Sequence, residues 1–158
     1  MVTDFVIFQA ESSAHIAQAR ELFLEYAQSL NFNLCFQSFD KELASLPGDY
    51  APPDGRLLLA EYDGRLAGCI ALHRLDEDIC EMKRLYLRPE FRGKGLGRAL
   101  AETIISEAPL AGYKRMRLDT VEPVMKTAVE IYRKLGFREI APYRPNPVAG
   151  TIYLELEL

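Results

Sequence analysis

Apolar and polar positions recur along this chain with two periods, and the points where the period changes outline the elements. Phe5–Ala10 (FVIFQA) has the composition of a first strand. Ser12 and Ser13 then offer an N-cap to a helix over Ala14–Leu30, in which Ile16, Ala19, Phe23, Tyr26, Ala27 and Leu30 follow helical spacing. Asn31–Phe36 reads as a loop and Phe39–Leu46 as a short second helix, ended by Pro47-Gly48 and followed by the turn-rich connector Ala51–Gly55. The period then shifts from the helical one to two. Arg56–Tyr62 and Arg65–Leu72 form strands around Asp63-Gly64, a strong two-residue hairpin signal. A polar turn at Leu75–Asp78 leads to a third strand, Cys80–Leu87 (CEMKRLYL). Arg88–Gly97 is a loop rich in glycine and arginine that opens a helix to about Ala108, with Leu96, Leu100, Ile104 and Ile105 on one face. Met116–Val121 reads as a strand, and Pro123 suits the first position of a helix that stops at Gly136. Strands at Phe137–Ala141 and Thr151–Leu158 flank the proline-studded segment Pro142–Gly150.

The resulting order is β-α-α-β-β-β-α-β-α-β-β. An antiparallel meander feeding a β-α-β unit predicts a mixed α/β fold, with helices on both faces of one mostly antiparallel sheet. The 158 residues, 49% of them hydrophobic, suit a single domain over 1–158 with one sizeable core.

Composition narrows the function. A net charge of −4 disfavours nonspecific binding to nucleic acid or an anionic membrane. The longest apolar stretch, Leu66–Leu72, is too short to span a bilayer, and Asp4 and Gln9 interrupt any N-terminal leader. Cys35, Cys69 and Cys80 form neither a CxxC pair nor a disulfide framework, and His15 and His73 lie far apart. These features lead us to expect a reduced, cytoplasmic protein without a metal, its cysteines serving as small buried hydrophobes. The charge is uneven. Residues 80–98 carry Lys83, Arg84, Arg88, Arg92, Lys94 and Arg98 against Glu81 and Glu90, a local excess of +4 in an acidic chain.

That basic segment holds the most informative motif, Arg92-Gly93-Lys94-Gly95-Leu96-Gly97-Arg98. Glycines at the mouth of a helix let a ligand approach backbone N–H groups that have no intrahelical partner, and the positive helix end favours phosphate. A dinucleotide fingerprint fails, because the third glycine position counted from Gly93 holds Arg98. A Walker A loop also fails, because Gly93-Lys94 is followed by Gly95 rather than Ser or Thr. What remains is RxxGxG (Arg92, Gly95, Gly97) directly after a strand reading EMKRLYL, with YRKLGF at Tyr132–Phe137 further on.

This combination resembles the acetyl-CoA-binding motif Q/R-x-x-G-x-G/A of the GNAT acetyltransferase superfamily. The element order over most of the chain matches too. The resemblance implies a GNAT-like twisted sheet of about seven strands and an N-acetyltransferase that uses acetyl-CoA as co-substrate. Its acceptor would be a small-molecule or peptide amine, with no nucleic acid or membrane partner and a homodimer left open. Arg92, Gly93, Lys94, Gly95, Leu96, Gly97 and Arg98 would hold the CoA pyrophosphate through their N–H groups. The main chain of Leu85 and Leu87 would pair with the pantetheine arm by strand addition. A non-catalytic acyl-CoA sensor and a transferase of longer acyl chains stay open beside this reading.

For chemistry, the amine must lose a proton and the departing thiolate needs a donor. Strand alternation places Glu81, Lys83, Leu85 and Leu87 on one face and Met82, Arg84 and Tyr86 on the other. By resemblance Glu81 is the candidate base and Tyr132 the candidate acid at the CoA sulfur. The sequence departs from the family at Met125, where relatives often carry an asparagine that bonds the pantetheine; Lys126 is the nearby substitute. Acceptor contacts would come from Asn31–Phe39, with Phe32, Phe36 and Phe39, and from Pro142–Pro147, where Tyr143, Arg144 and Asn146 are candidates and Arg144 suits a carboxylate. His73, at a strand end, reads as a structural residue.

Overall fold

The computed structural model describes residues 4–30 and 38–158. Its elements are β1 (Phe5–Gln9), α1 (Ser13–Ser29), α2 (Phe39–Ser45), β2 (Arg56–Tyr62), β3 (Arg65–Asp76), β4 (Ile79–Leu87), α3 (Leu96–Leu110), β5 (Arg115–Val121), α4 (Lys126–Lys134), β6 (Arg138–Ile140) and β7 (Thr151–Glu157). The expected order of elements is therefore the observed one. The expected loop Asn31–Phe36, with Phe32, Cys35 and Phe36, lies outside the described residues.

Seven strands form one sheet in the order β1-β2-β3-β4-β5-β7-β6. Every pairing is antiparallel except β4 with β5, the pair that α3 connects. The hairpin between β2 and β3 turns on Asp63 and Gly64, both at positive φ, the backbone that a two-residue turn of this hand requires. Each face of the sheet has its own core. On one side, Ala19, Leu22 and Phe23 of α1 and Phe39 of α2 pack on Leu57, Leu59, Cys69 and Ala71. On the other, Leu100, Ala101 and Ile104 of α3 and Tyr132 of α4 pack on Leu58, Ile70, Leu72, Met82 and Met116. Cys69 and Cys80 are buried thiols within these cores.

Two expectations are corrected. The last helix begins at Lys126, not Pro123, because Val121–Met125 forms a turn closed by Met125 N–H donating to Val121 O at 2.9 Å. More consequentially, β4 does not alternate strictly. Its pairing with β3 runs Cys69↔Tyr86 and then Ala71↔Lys83, so Arg84 and Leu85 together oppose one residue, Ile70. Arg84 takes φ +64° to make this bulge. Leu85 and Leu87 consequently pack toward α3 with Cys80 and Met82, on the opposite face from Glu81. Beyond the bulge the two strands approach closely: a Cβ at Gly68 would lie 2.4 Å from Tyr86 O, so only glycine fits there.

Candidate active site

The site is organised around a split in the sheet. β4 and β5 pair only at Ile79↔Arg115, Cys80↔Met116 and Glu81↔Arg117, yet they run on to Leu87 and Val121. The cleft between the diverging ends is lined by Lys83 and Leu85 from β4, Asp119 and Thr120 from β5, Tyr132 from α4, and Asn146 from the late loop, among others. A strand edge without a ladder partner offers main-chain donors and acceptors to an extended ligand.

Past the open end of β4 lies the glycine loop. Gly93 and Gly95 hold φ +78° and +83°, and a Cβ on either would meet nothing within 4 Å, so the loop faces open space. Gly95 caps α3 without any side-chain hydrogen bond; the first intrahelical bond is Ala99 N–H to Gly95 O, at 3.1 Å. The N–H groups of Leu96, Gly97 and Arg98 therefore point out of the helix mouth as donors, the arrangement a phosphate requires. Gly97 packs between Leu87 and Ile131. The basic side chains are less uniform than their number suggests. Arg92 Nε donates to Leu87 O at 3.0 Å, Lys94 lies over the Tyr62 ring, and Arg98 makes an exposed 3.5 Å pair with Glu102. Arg88 is bound to Glu21 and Glu25 of α1 and belongs to the scaffold.

Tyr132 reaches the cleft from α4 and is 6% exposed, its ring against Phe137. Burial pushes its hydroxyl well above the usual tyrosine range, so it stays protonated as a donor. Met125, where the family often has asparagine, lines the cleft, whereas Lys126 is exposed and is not among the lining residues. An amide is nevertheless present: Asn146 lines the cleft and donates to Asp119 Oδ2 at 3.3 Å.

Glu81 stands at the paired end, fully buried, and both its oxygens are occupied. His73 Nε2 lies 2.9 Å from Oε1, while the Tyr143 hydroxyl at 2.6 Å and Arg144 Nη1 at 2.8 Å donate to Oε2; Lys83 Nζ is 3.8 Å away. Burial alone would raise the Glu81 pKa, but the His73 hydrogen bond, the Lys83 and Arg144 charges and the Tyr143 hydroxyl outweigh it and hold it at about 2. Both Glu81 oxygens are thus held by donors. His73 is clamped likewise, its Nδ1 lying 2.9 Å from Arg74 O. Both ring nitrogens thus lie against oxygens. This hub borders a cavity of about 410 Å³, large enough for a small acceptor. Lys41, Glu42 and Tyr50 line it on the α2 side, with His73, Glu81, Lys83 and Arg144 opposite. Glu42 in turn holds Arg84 in a bidentate pair, both contacts at 2.9 Å, which fastens α2 to the bulge.

The structure thus brings Tyr132, Leu85 and the late-loop residue Asn146 to one cleft, and Tyr143 and Arg144 to Glu81. Reading the sequence missed the Arg84–Glu42 pair and the position of Lys83; a buried-strand position occupied by two successive cations was the available signal. Among the described residues, no group of three His, Cys, Asp or Glu side chains converges as metal ligands would, and no helix is long and apolar enough to cross a membrane.

Comparison with known proteins agrees with this geometry. The model of the acetyltransferase (GNAT) family matches residues 16–137. A Schizosaccharomyces pombe protein named as an uncharacterized N-acetyltransferase is 41% identical over 136 residues, covering 85% of this chain and 83% of its own. The crystal structure of an acetyltransferase from Streptococcus agalactiae superposes with a TM-score of 0.79 at 24% identity, over 99% of this chain and all of that one. A GNAT family acetyltransferase from Elizabethkingia anophelis, solved with acetyl-CoA bound, superposes with a TM-score of 0.70 at 22% identity, over 98% and 99% of the two chains. The chain belongs to the GNAT acetyltransferase family.

Proposed function

We propose that this protein transfers the acetyl group of acetyl-CoA to a primary amine of a small molecule or peptide by direct attack on the thioester. The observation that carries the reading is the cleft between β4 and β5, which has the glycine loop past its open end and meets the polar cavity at Lys83. In this reading the N–H groups of residues 93–98 hold the pyrophosphate, the Arg92 N–H being taken by Pro89 O at 3.2 Å. The main chain of Leu85 and Leu87 receives the pantetheine arm as an added strand, while their side chains stay in the core. The Asn146 amide takes the contact that Met125 cannot make.

The amine nitrogen attacks the thioester carbon, a tetrahedral oxyanion forms, and its collapse breaks the C–S bond. Tyr132 donates a hydrogen bond to the leaving sulfur. A thiol titrates near 8.5, far below this buried phenol, so Tyr132 steadies the thiolate without surrendering its proton outright. Glu81 serves as a positioning residue: its carboxylate fastens Tyr143 and Arg144, and through them the late loop, beside the acceptor cavity. The amine's proton then leaves to water through the cavity. An alkyl ammonium of pKa about 10.4 is neutral in roughly one molecule in 2,500 at pH 7, and positioning acts on that fraction.

The test is thiol release from acetyl-CoA across amino acids, polyamines, aminoglycosides and lysine peptides, with acetyl-CoA binding measured in parallel. An acetylated product from one class supports transfer. Tight acetyl-CoA binding with no acceptor turned over would make this an acyl-CoA-binding module instead.

A further inference from the structure

Among the described residues one side chain lines both the cleft and the acceptor cavity, and it is an amine: Lys83. It sits two residues after Glu81 and immediately before the bulge, where β4 has just parted from β5. Its side chain is 10% exposed, with Nζ 3.8 Å from Glu81 Oε1. Acetyl donor and acceptor have to meet where these two spaces join, so the acetyl group presented to an acceptor is also presented to Lys83.

We propose, resting on the acetyl-transfer reading above, that Lys83 is a self-acetylation site: with no amine in the cavity, the enzyme transfers the acetyl group of bound acetyl-CoA to Lys83 Nζ. The ammonium first loses one proton to water, and the nitrogen lone pair then attacks the thioester carbon. The N–C bond forms, the C–S bond breaks, and a second proton leaves nitrogen with the departing CoA thiol. The product is a neutral amide that fills the passage between cleft and cavity, so an enzyme deprived of acceptor closes its own site.

The surroundings of Lys83 favour this chemistry. Burial lowers its pKa, and the cations of Arg84 and Arg144 push the same way, while the carboxylates of Glu81 and Asp119 oppose them and lose. Lys114, Lys126 and Lys134 are exposed and line neither the cleft nor the cavity, and they serve as internal controls.

The experiment incubates the full-length protein with acetyl-CoA and no amine, and follows acetylation of each lysine by peptide mass mapping while calorimetry records acetyl-CoA binding. The expected result is one acetyl group on Lys83, appearing at least about tenfold faster than on the control lysines because it is held beside the thioester, and slowed by excess free CoA. Bound acetyl-CoA with no acetyl on Lys83 overturns the proposal. So does acetylation of Lys83 no faster than the exposed lysines, the pattern of uncatalysed chemistry. Failure to bind acetyl-CoA is a separate outcome, which overturns the transferase reading and this proposal with it.

Discussion

The glycine loop and the Glu81 hub lie at opposite ends of β4 and are built on opposite principles. The loop is local: consecutive residues present main-chain N–H groups, and its basic side chains are exposed or engaged elsewhere. The hub is assembled from β3, β4 and the late loop, with His73, Glu81, Tyr143 and Arg144 joined by side-chain contacts of 2.6–2.9 Å. The difference teaches where each end is vulnerable. The loop fails when its backbone is forced, and the hub fails when a single charge is removed.

The largest expected effect is at the hub. Glu81→Ala leaves Lys83, Arg144 and His73 facing one another without their carboxylate, and should cost about 3–5 kcal/mol of stability in urea denaturation. The acid behaviour of the wild type follows from the same group. Its folded pKa is lowered to about 2 from an ordinary 4.5, so its contribution is complete above pH 4.5 and drains away as pH falls toward 2. Glu81→Gln should flatten the stability profile in that window. If Glu81 positions the late loop, the Gln variant that still folds should raise KM for the acceptor more than it lowers kcat; the reverse split would restore Glu81 as a direct proton acceptor.

At the loop, Gly95→Val forces a β-branched residue to φ +83°. That conformation costs about 2 kcal/mol, so acetyl-CoA Kd should rise on the order of thirtyfold in calorimetry with the fold intact. Tyr132→Phe removes one hydrogen bond to a charged sulfur and should lower kcat about tenfold while acetyl-CoA Kd stays within about twofold. Lys94→Ala is the smallest change: an exposed charge contributes up to about 1 kcal/mol, and Kd should move by less than about fivefold. Were Lys94→Ala to cost more than Gly95→Val, the backbone account of the loop would be wrong.

This contrast also explains what the sequence disclosed. Turn chemistry and period are written in neighbouring residues, so Asp63-Gly64, the helix after Gly95 and the order of elements were legible. The bulge was not, because nothing in KRLYL marks Arg84 for a left-handed backbone. Its partner Glu42 and the rings of Tyr26 and Phe39 come from α1 and α2, 42 to 58 residues earlier. The surroundings of Glu81 were hidden for the same reason: the resemblance named it as candidate base, while the donors that hold it come from β3 and the late loop. Main-chain sites are readable from motifs, whereas the protonation state of a buried side chain depends on partners that only folding brings together.

The most direct test of the account is a crystal structure of this protein with acetyl-CoA. The pyrophosphate should lie on the N–H groups of residues 93–98, the pantetheine arm along β4 in the cleft, and the thioester between Tyr132 and Lys83. Acetyl-CoA bound away from that cleft, or a sulfur out of reach of Tyr132, would contradict it.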